Sequence, residues 1–259
     1  MKTQISILAA CAALMAVPAA ADVTLKQKHS GKGMGATMAG DGVQYIKGTK
    51  MRTDQTMAGK RVTVIIDAAT QKMITIDHEK KEATVTDMTT ISRDLAKFEA
   101  SDVKATITPT ATKRQIAGAS CTVHNMDVRV PAKIGDSGDE LLVVMTGPVC
   151  LVKGGPGAAD YAAFYKAAAE KGLFFTDPRA AKAQPGQAKG MTELYRQMAS
   201  NGVAYSTDLT FKFEGKGMMA QMMNKMGGMT MSSEVTEVSG AAIDDSVFAV
   251  PAGYKTKTQ

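Results

Sequence analysis

The side chains in this sequence that most suggest chemistry are soft ones. Met218, Met219, Met222, Met223 and Met226 follow at i, i+1, i+4, i+5 and i+8, with Met229 and Met231 just beyond. On a helix the first five share one stripe. Thioethers at that spacing suit two tasks. They are fitting ligands for Cu(I), and they make an adaptable apolar surface for ligands of variable shape. A Met-lined core contact or a surface loop is the plainer alternative. The segment contains neither His nor Cys, which weighs against copper.

The other candidates are weaker. The histidines are His29, His78 and His124. His78-Glu79 does not continue into the HExxH of a zinc-protease helix, because position 82 is Glu. Cys121 and His124, three apart, would point to opposite faces of a strand and could not converge. Gly135-Asp136-Ser137-Gly138 reads as a turn, with no His context that would activate Ser137. Gly154-Gly155-Pro156-Gly157 stands between strand and helix, where a phosphate loop would, but lacks the G-K-[ST] ending and any GxGxxG. The expectation is therefore a non-enzyme, with no catalytic residue, no metal site and no cofactor.

The first residues read as an export signal. Lys2 supplies the charge, Ile5 to Val17 the apolar run, and Pro18-Ala19-Ala20-Ala21 the small-residue cleavage site. Residues 1–21 are expected to be removed by a cut after Ala21. Leu8-Ala9-Ala10-Cys11 offers a rival lipoprotein site, but its preceding apolar run is short. No other segment approaches the ~20 apolar residues of a membrane span. Cys121 and Cys150 remain after the cut, and in an oxidising compartment a single pair most simply forms a disulfide. A reactive or metal-binding thiol pair is the alternative, which no CxxC spacing supports. Loss of Lys2 takes the net charge from +6 to +5. That mild, scattered excess and the absence of Trp argue against nucleic acid.

These residues must be positioned by a β-rich framework. Val23–His29, Val43–Lys47, Lys50–Thr56, Val62–Ile66, Met73–Asp77 and Glu82–Thr86 alternate with turn signals, as in an antiparallel meander. Ile91–Ala100 suggests a short helix. Lys104–Thr108, Cys121–Val130, an interrupted pair at Leu141–Thr146 and Val149–Lys153, Val203–Phe213, Met229–Ser239 and an edge segment at Ser246–Val250 suggest further strands. Between them lie two helices, in a segment at about 156–202. Tyr161, Phe164, Tyr165 and Ala168 fall at i, i+3, i+4 and i+7 before Gly172, and Met191, Leu194, Tyr195 and Met198 repeat that spacing. The aromatic residues, with Phe174 and Phe175, either fill a core or line a cavity.

Tyr45-Ile46-Lys47-Gly48-Thr49-Lys50-Met51-Arg52-Thr53, then Val62–Asp67 and Lys72–Asp77, with Val247–Tyr254 closing the chain, resemble the periplasmic lipoprotein-carrier superfamily (LolA/LolB/LppX-like). More narrowly they resemble an uncharacterised exported family within it, labelled a domain of unknown function. The resemblance covers most of residues 22–259 as one domain. It implies an α+β fold: a strongly curved antiparallel β-sheet, an incomplete barrel, with helices packed on its concave face. It also implies an apolar cavity between sheet and helices, and brings no catalytic residue. The expected function is a periplasmic, non-enzymatic protein binding a lipid or other hydrophobic ligand, with a lipid or lipidated protein as partner. Tyr161, Phe164, Tyr165, Met191, Met218, Met222 and Met226 are the expected ligand contacts. A structural or protein-interaction module with a filled core, and soft-metal (copper) handling by the Met-rich segment, are the competing expectations. Oligomeric state is not legible.

Overall fold

The computed structural model describes residues 22–33, 36–57, 59–96, 104–134, 139–173, 185–225 and 228–259. The expected signal segment, Gly135 to Gly138, Phe174, Phe175 and Met226 lie outside the described residues.

The alternating runs become β1 (Val23–Gly33), β2 (Ala36–Lys47), β3 (Lys50–Met57), β4 (Lys60–Asp67), β5 (Lys72–Asp77), β6 (Glu82–Asp87), β7 (Lys104–Ile116), β8 (Ala119–Ile134), β9 (Asp139–Val152), β10 (Val203–Glu214), β11 (Met229–Ser239) and β12 (Lys255–Thr258). Among the described residues they form one unclosed sheet, in the order β12-β6-β5-β4-β3-β2-β1-β11-β10-β9-β8-β7. Neighbours are antiparallel except β12, which runs parallel to β6. Most neighbours are joined by short turns. Longer connections join β9 to β10, β10 to β11 and β6 to β12, and the longest closes the seam at β1, which pairs with β2 on one side and with β11 on the other. The fold is α+β with a curved sheet.

Helices cover part of one face. α1 (Thr89–Ala96) follows β6, α2 (Ala158–Glu170) and α3 (Pro185–Asn201) lie between β9 and β10, and α4 (Met218–Lys225) between β10 and β11. Alanine-rich α2 has high intrinsic helix propensity. It ends as its sequence demands: Gly172 takes φ 65°, its N–H bonds Ala169 O at 3.0 Å, and Leu173 N–H bonds Ala168 O at 2.9 Å. That closes the last turn as a Schellman motif, with Ala168 and Leu173 buried together. The i, i+3, i+4, i+7 stripe of α2 is buried against Val23, Leu25, Ile46, Met51 and Ile66 of β1 to β4. Leu194 of α3 packs with Met126, Val128, Val130, Met145, Val149 and Leu151 of β8 and β9.

The opposite face of β2 to β6 is covered by the C-terminal segment. Ile243 and Phe248 pack on Ile65, Ile76 and Ala83. Lys47 donates to Ile243 O at 2.7 Å and Arg52 to Val247 O at 2.6 Å. Here the structure corrects two expectations. Ser246–Val250 is no edge strand: Asp245–Phe248 is a 3-10 turn, started by Asp244 accepting from Ser246 N–H at 2.8 Å. The last strand is instead β12. The interrupted pair at residues 141–153 is one strand, β9. Gly147 keeps it continuous, since any Cβ there would come 1.9 Å from Asp208 O. The Met-rich segment supplies the short α4.

Candidate functional site

Tyr161, Phe164 and Tyr165 form a continuous aromatic group with Tyr195 of α3. Ring centroids lie 4.5 Å apart for Tyr161–Tyr165, 5.3 Å for Phe164–Tyr165 and 5.9 Å for the stacked Tyr165–Tyr195 pair. Such spacings are those of favourable aromatic packing. Burial pushes all three phenols up. Tyr161 is held well above its ordinary value, and Tyr195 is pushed up to about 12 by burial and then by Tyr165. The hydroxyls therefore stay neutral near pH 7.

Beneath this roof the sheet is not fully covered. A cavity of about 400 Å³ is bounded by Met191, Leu194, Tyr195 and Met198 of α3, Tyr161 and Tyr165 of α2, and Met126, Met145, Leu209, Phe211 and Met231 of the sheet. A second, of about 230 Å³, lies over Met51, Thr53, Val62, Val64 and Ile66. Both linings include Gln27, His29, Gln44, Gln55, Tyr165 and Tyr195, so the two read as one groove. Neither is a closed void. Val62 and Met231, two large apolar side chains left 41% and 46% exposed, belong to its linings.

Strand register explains the polar floor between the two ends. Gln27 pairs with Gly42, and Gly42 with Gln55, so two amides flank a residue without a side chain. The His29 ring fills that gap: a Cβ on Gly42 would lie 2.6 Å from His29 Nε2. Burial lowers the His29 pKa, against an opposing pull from Asp41. Gln44 donates to Tyr165 Oη at 3.3 Å and to Met51 Sδ at 3.1 Å, tying the floor to the roof.

A second polar cluster lies where the C-terminal segment meets the sheet. Thr63 donates to Asp54 Oδ1, which also accepts from Arg52 Nε at 2.9 Å. Thr63 Oγ1 then accepts from His78 Nε2 at 2.8 Å, which leaves His78 Nδ1 to accept from Tyr254 Oη at 2.9 Å. Thr63 is fully buried, so this chain fastens the tail rather than presenting a nucleophile.

The expected contacts are placed unevenly. Tyr161, Tyr165 and Met191 line the groove. Phe164 is wholly buried and is not part of either lining. Met222 is 48% exposed on α4; Met218 lies in the same helix, but its side chain is outside the described set, as is Met226. The methionines that line the groove are Met51, Met126, Met145, Met191, Met198 and Met231, mostly from other elements. Gln27, Gln44 and Gln55 were not singled out by sequence, and His29 was named there only among the weaker candidates. Cys121 and Cys150 form a disulfide with Cα atoms 5.4 Å apart, the bond an oxidising compartment produces. His124 is buried on the other face of β8 from Cys121 and bonds Thr122 O through Nδ1 at 2.9 Å. Among the described residues, no group of three or more His, Cys, Asp or Glu is placed to hold a metal, and no helix is long and apolar enough to cross a membrane.

No family model matches the chain, and no curated protein matches it. Among solved structures, it is similar to an uncharacterised conserved protein of Thermus thermophilus, at 6% identity and TM-score 0.40, covering 93% of this chain and 92% of that one. It is also similar to a domain assigned to outer membrane lipoprotein sorting from Vibrio parahaemolyticus, at 6% identity and TM-score 0.33, covering 89% and 90%. A DUF1329 family protein from Desulfovibrio piger aligns at 7% identity and TM-score 0.30, covering 90% and 91%. None of the three is similar enough for a function to transfer.

Proposed function

We propose that this is a non-enzymatic protein of the cell envelope, exported to the periplasm, that holds a lipid or other hydrophobic ligand between its sheet and its helices. The observation that carries the reading is the groove under α2 and α3. It is apolar at both ends, polar in the middle, and bordered by exposed Val62 and Met231. Small-molecule sites are concave, mostly apolar, and carry a few placed polar groups. A filled core, as an interaction module would have, is hard to reconcile with that space. The buried disulfide supports export.

The test is native mass spectrometry of the protein purified from its exported compartment, followed by organic extraction. Co-purified lipid, or uptake of Nile red by the stripped protein, is the expected result. Met198→Trp, which fills the groove from α3, should abolish both while the far-ultraviolet circular dichroism spectrum is kept. A bare mass with no dye uptake refutes the reading.

A further inference from the structure

Resting on that ligand-binding reading, we propose that the ligand's polar end is uncharged. The groove takes an amphiphile with one apolar tail and a hydroxyl, ester or amide end, of the monoacylglycerol type, in preference to a fatty acid or a lysophospholipid.

The groove has a chemical direction. Met126, Met145, Leu194, Met198, Leu209 and Phe211 make one end soft and apolar, suited to an alkyl chain of variable shape. The stretch shared by both cavities brings together the amides of Gln27, Gln44 and Gln55, the His29 ring and the Tyr165 hydroxyl. An amide offers a donor and an acceptor side by side, which matches a hydroxyl or an ester carbonyl. Among the described residues of both linings there is no Lys, Arg, Asp or Glu. A carboxylate or phosphate seated there would leave water without a counter-ion, which is costly. His29 does not supply one, since burial favours its neutral form. The nearby charged groups, Lys28, Asp41, Asp208 and Glu234, line an adjoining surface trough that shares His29, Ser30, Ser232 and Ser233 with the groove; three of the four are carboxylates, which disfavour an anion further.

The test is displacement of Nile red, a neutral dye, at mildly alkaline pH from the protein as its expression host processes it. The competitors are 1-monopalmitoylglycerol, palmitate and 1-palmitoyl-lysophosphatidylglycerol, each below its micelle concentration. Monopalmitoylglycerol should displace the dye at about tenfold lower concentration than either anion. Gln27→Lys, which brings a cation to the floor, should improve palmitate by about tenfold. Palmitate or the lysophospholipid competing as well as monopalmitoylglycerol in the unaltered protein overturns the proposal, as does a Gln27→Lys variant that binds dye but gains nothing for palmitate. A protein that binds neither Nile red nor any competitor refutes the ligand-binding reading itself. Dye binding with the reverse order of competitors sinks only the headgroup assignment.

Discussion

The Arg114 guanidinium donates to the Glu234 carboxylate at 3.1 Å, although β8, β9 and β10 separate their strands, β7 and β11, in the sheet. In a flat sheet four strand spacings would hold them roughly 19 Å apart, beyond the reach of any side chain. The contact exists because the sheet rolls until the β7–β8 hairpin leans over β10 and β11. The same guanidinium bonds the buried Ser206 hydroxyl at 3.2 Å.

Because Arg114 and Glu234 are both well exposed, the bond is a consequence of the roll more than its cause. Arg114→Ala should cost no more than about 1 kcal/mol, lowering Tm by roughly 1–4 °C, with the difference shrinking at high salt. A loss several times larger in a thermal melt would show that the clasp itself holds the curve.

The disulfide holds more. Cys121 and Cys150 are separated by 29 residues. On the chain-entropy model a loop of that length stabilises by about 3–4 kcal/mol. The double Cys121→Ser/Cys150→Ser variant, or the reduced protein, should unfold at a Tm lower by roughly 6–16 °C. A shift of only a degree or two contradicts it.

The tail fastening should be pH-dependent. Burial, then the nearby Arg61 charge, lowers the His78 pKa, with Asp54 opposing. The folded state thus favours neutral His78, and the unfolded chain takes up the proton first. Stability from this site is complete above the unfolded value of about 6.5 and is lost as pH falls from there through the folded pKa. Protonation also puts a hydrogen on Nδ1, the atom that accepts from Tyr254. Histidine titration by NMR should give His78 a pKa below that of the unfolded chain, and the amides of β12 should lose protection, relative to their intrinsic exchange rates, in mild acid. A His78 pKa at or above the unfolded value overturns this.

Much of the framework was legible because one face of most strands is apolar. Val23 and Leu25, or Val128 and Val130, announce a buried side by their spacing. β12 escaped because Lys-Thr-Lys-Thr is exposed at all four positions and shows no apolar face; only its pairing with β6 defines it. Val247, Phe248 and Val250 looked like a strand because they are β-formers, but Asp244 turns the chain first. The groove was half visible, in the α2 and α3 stripes. Its floor was not: Gln27, Gln44 and Gln55 are separately unremarkable polar residues, and only the register of β1, β2 and β3 brings them together.

Asp160 should oppose stability at neutral pH. It is 6% exposed, in the first turn of α2, and its pKa is raised by burial and then by the Asp22 carboxylate, with Gly48 N–H opposing. A raised acid pKa means the cost is absent below the unfolded pKa and complete once pH passes the folded one. Asp160→Asn should therefore stabilise the protein near pH 7, by on the order of 1 kcal/mol, and leave it unchanged in strong acid. Equal gains at both pH values would contradict the assignment.

The β1 seam sets the order of assembly. Lys26 and Glu237 face each other across it although they stand 211 positions apart in the sequence. The strand synthesised first therefore waits for nearly the whole chain before its second partner arrives. The β1–β6 meander and the β7–β9 array can each form from local contacts, but their union through β10 and β11 is a late, long-range step of the slow kind. A chain threaded out of the cytoplasm from its N-terminus would thus remain open along its midline through most of its passage and close only at the far side.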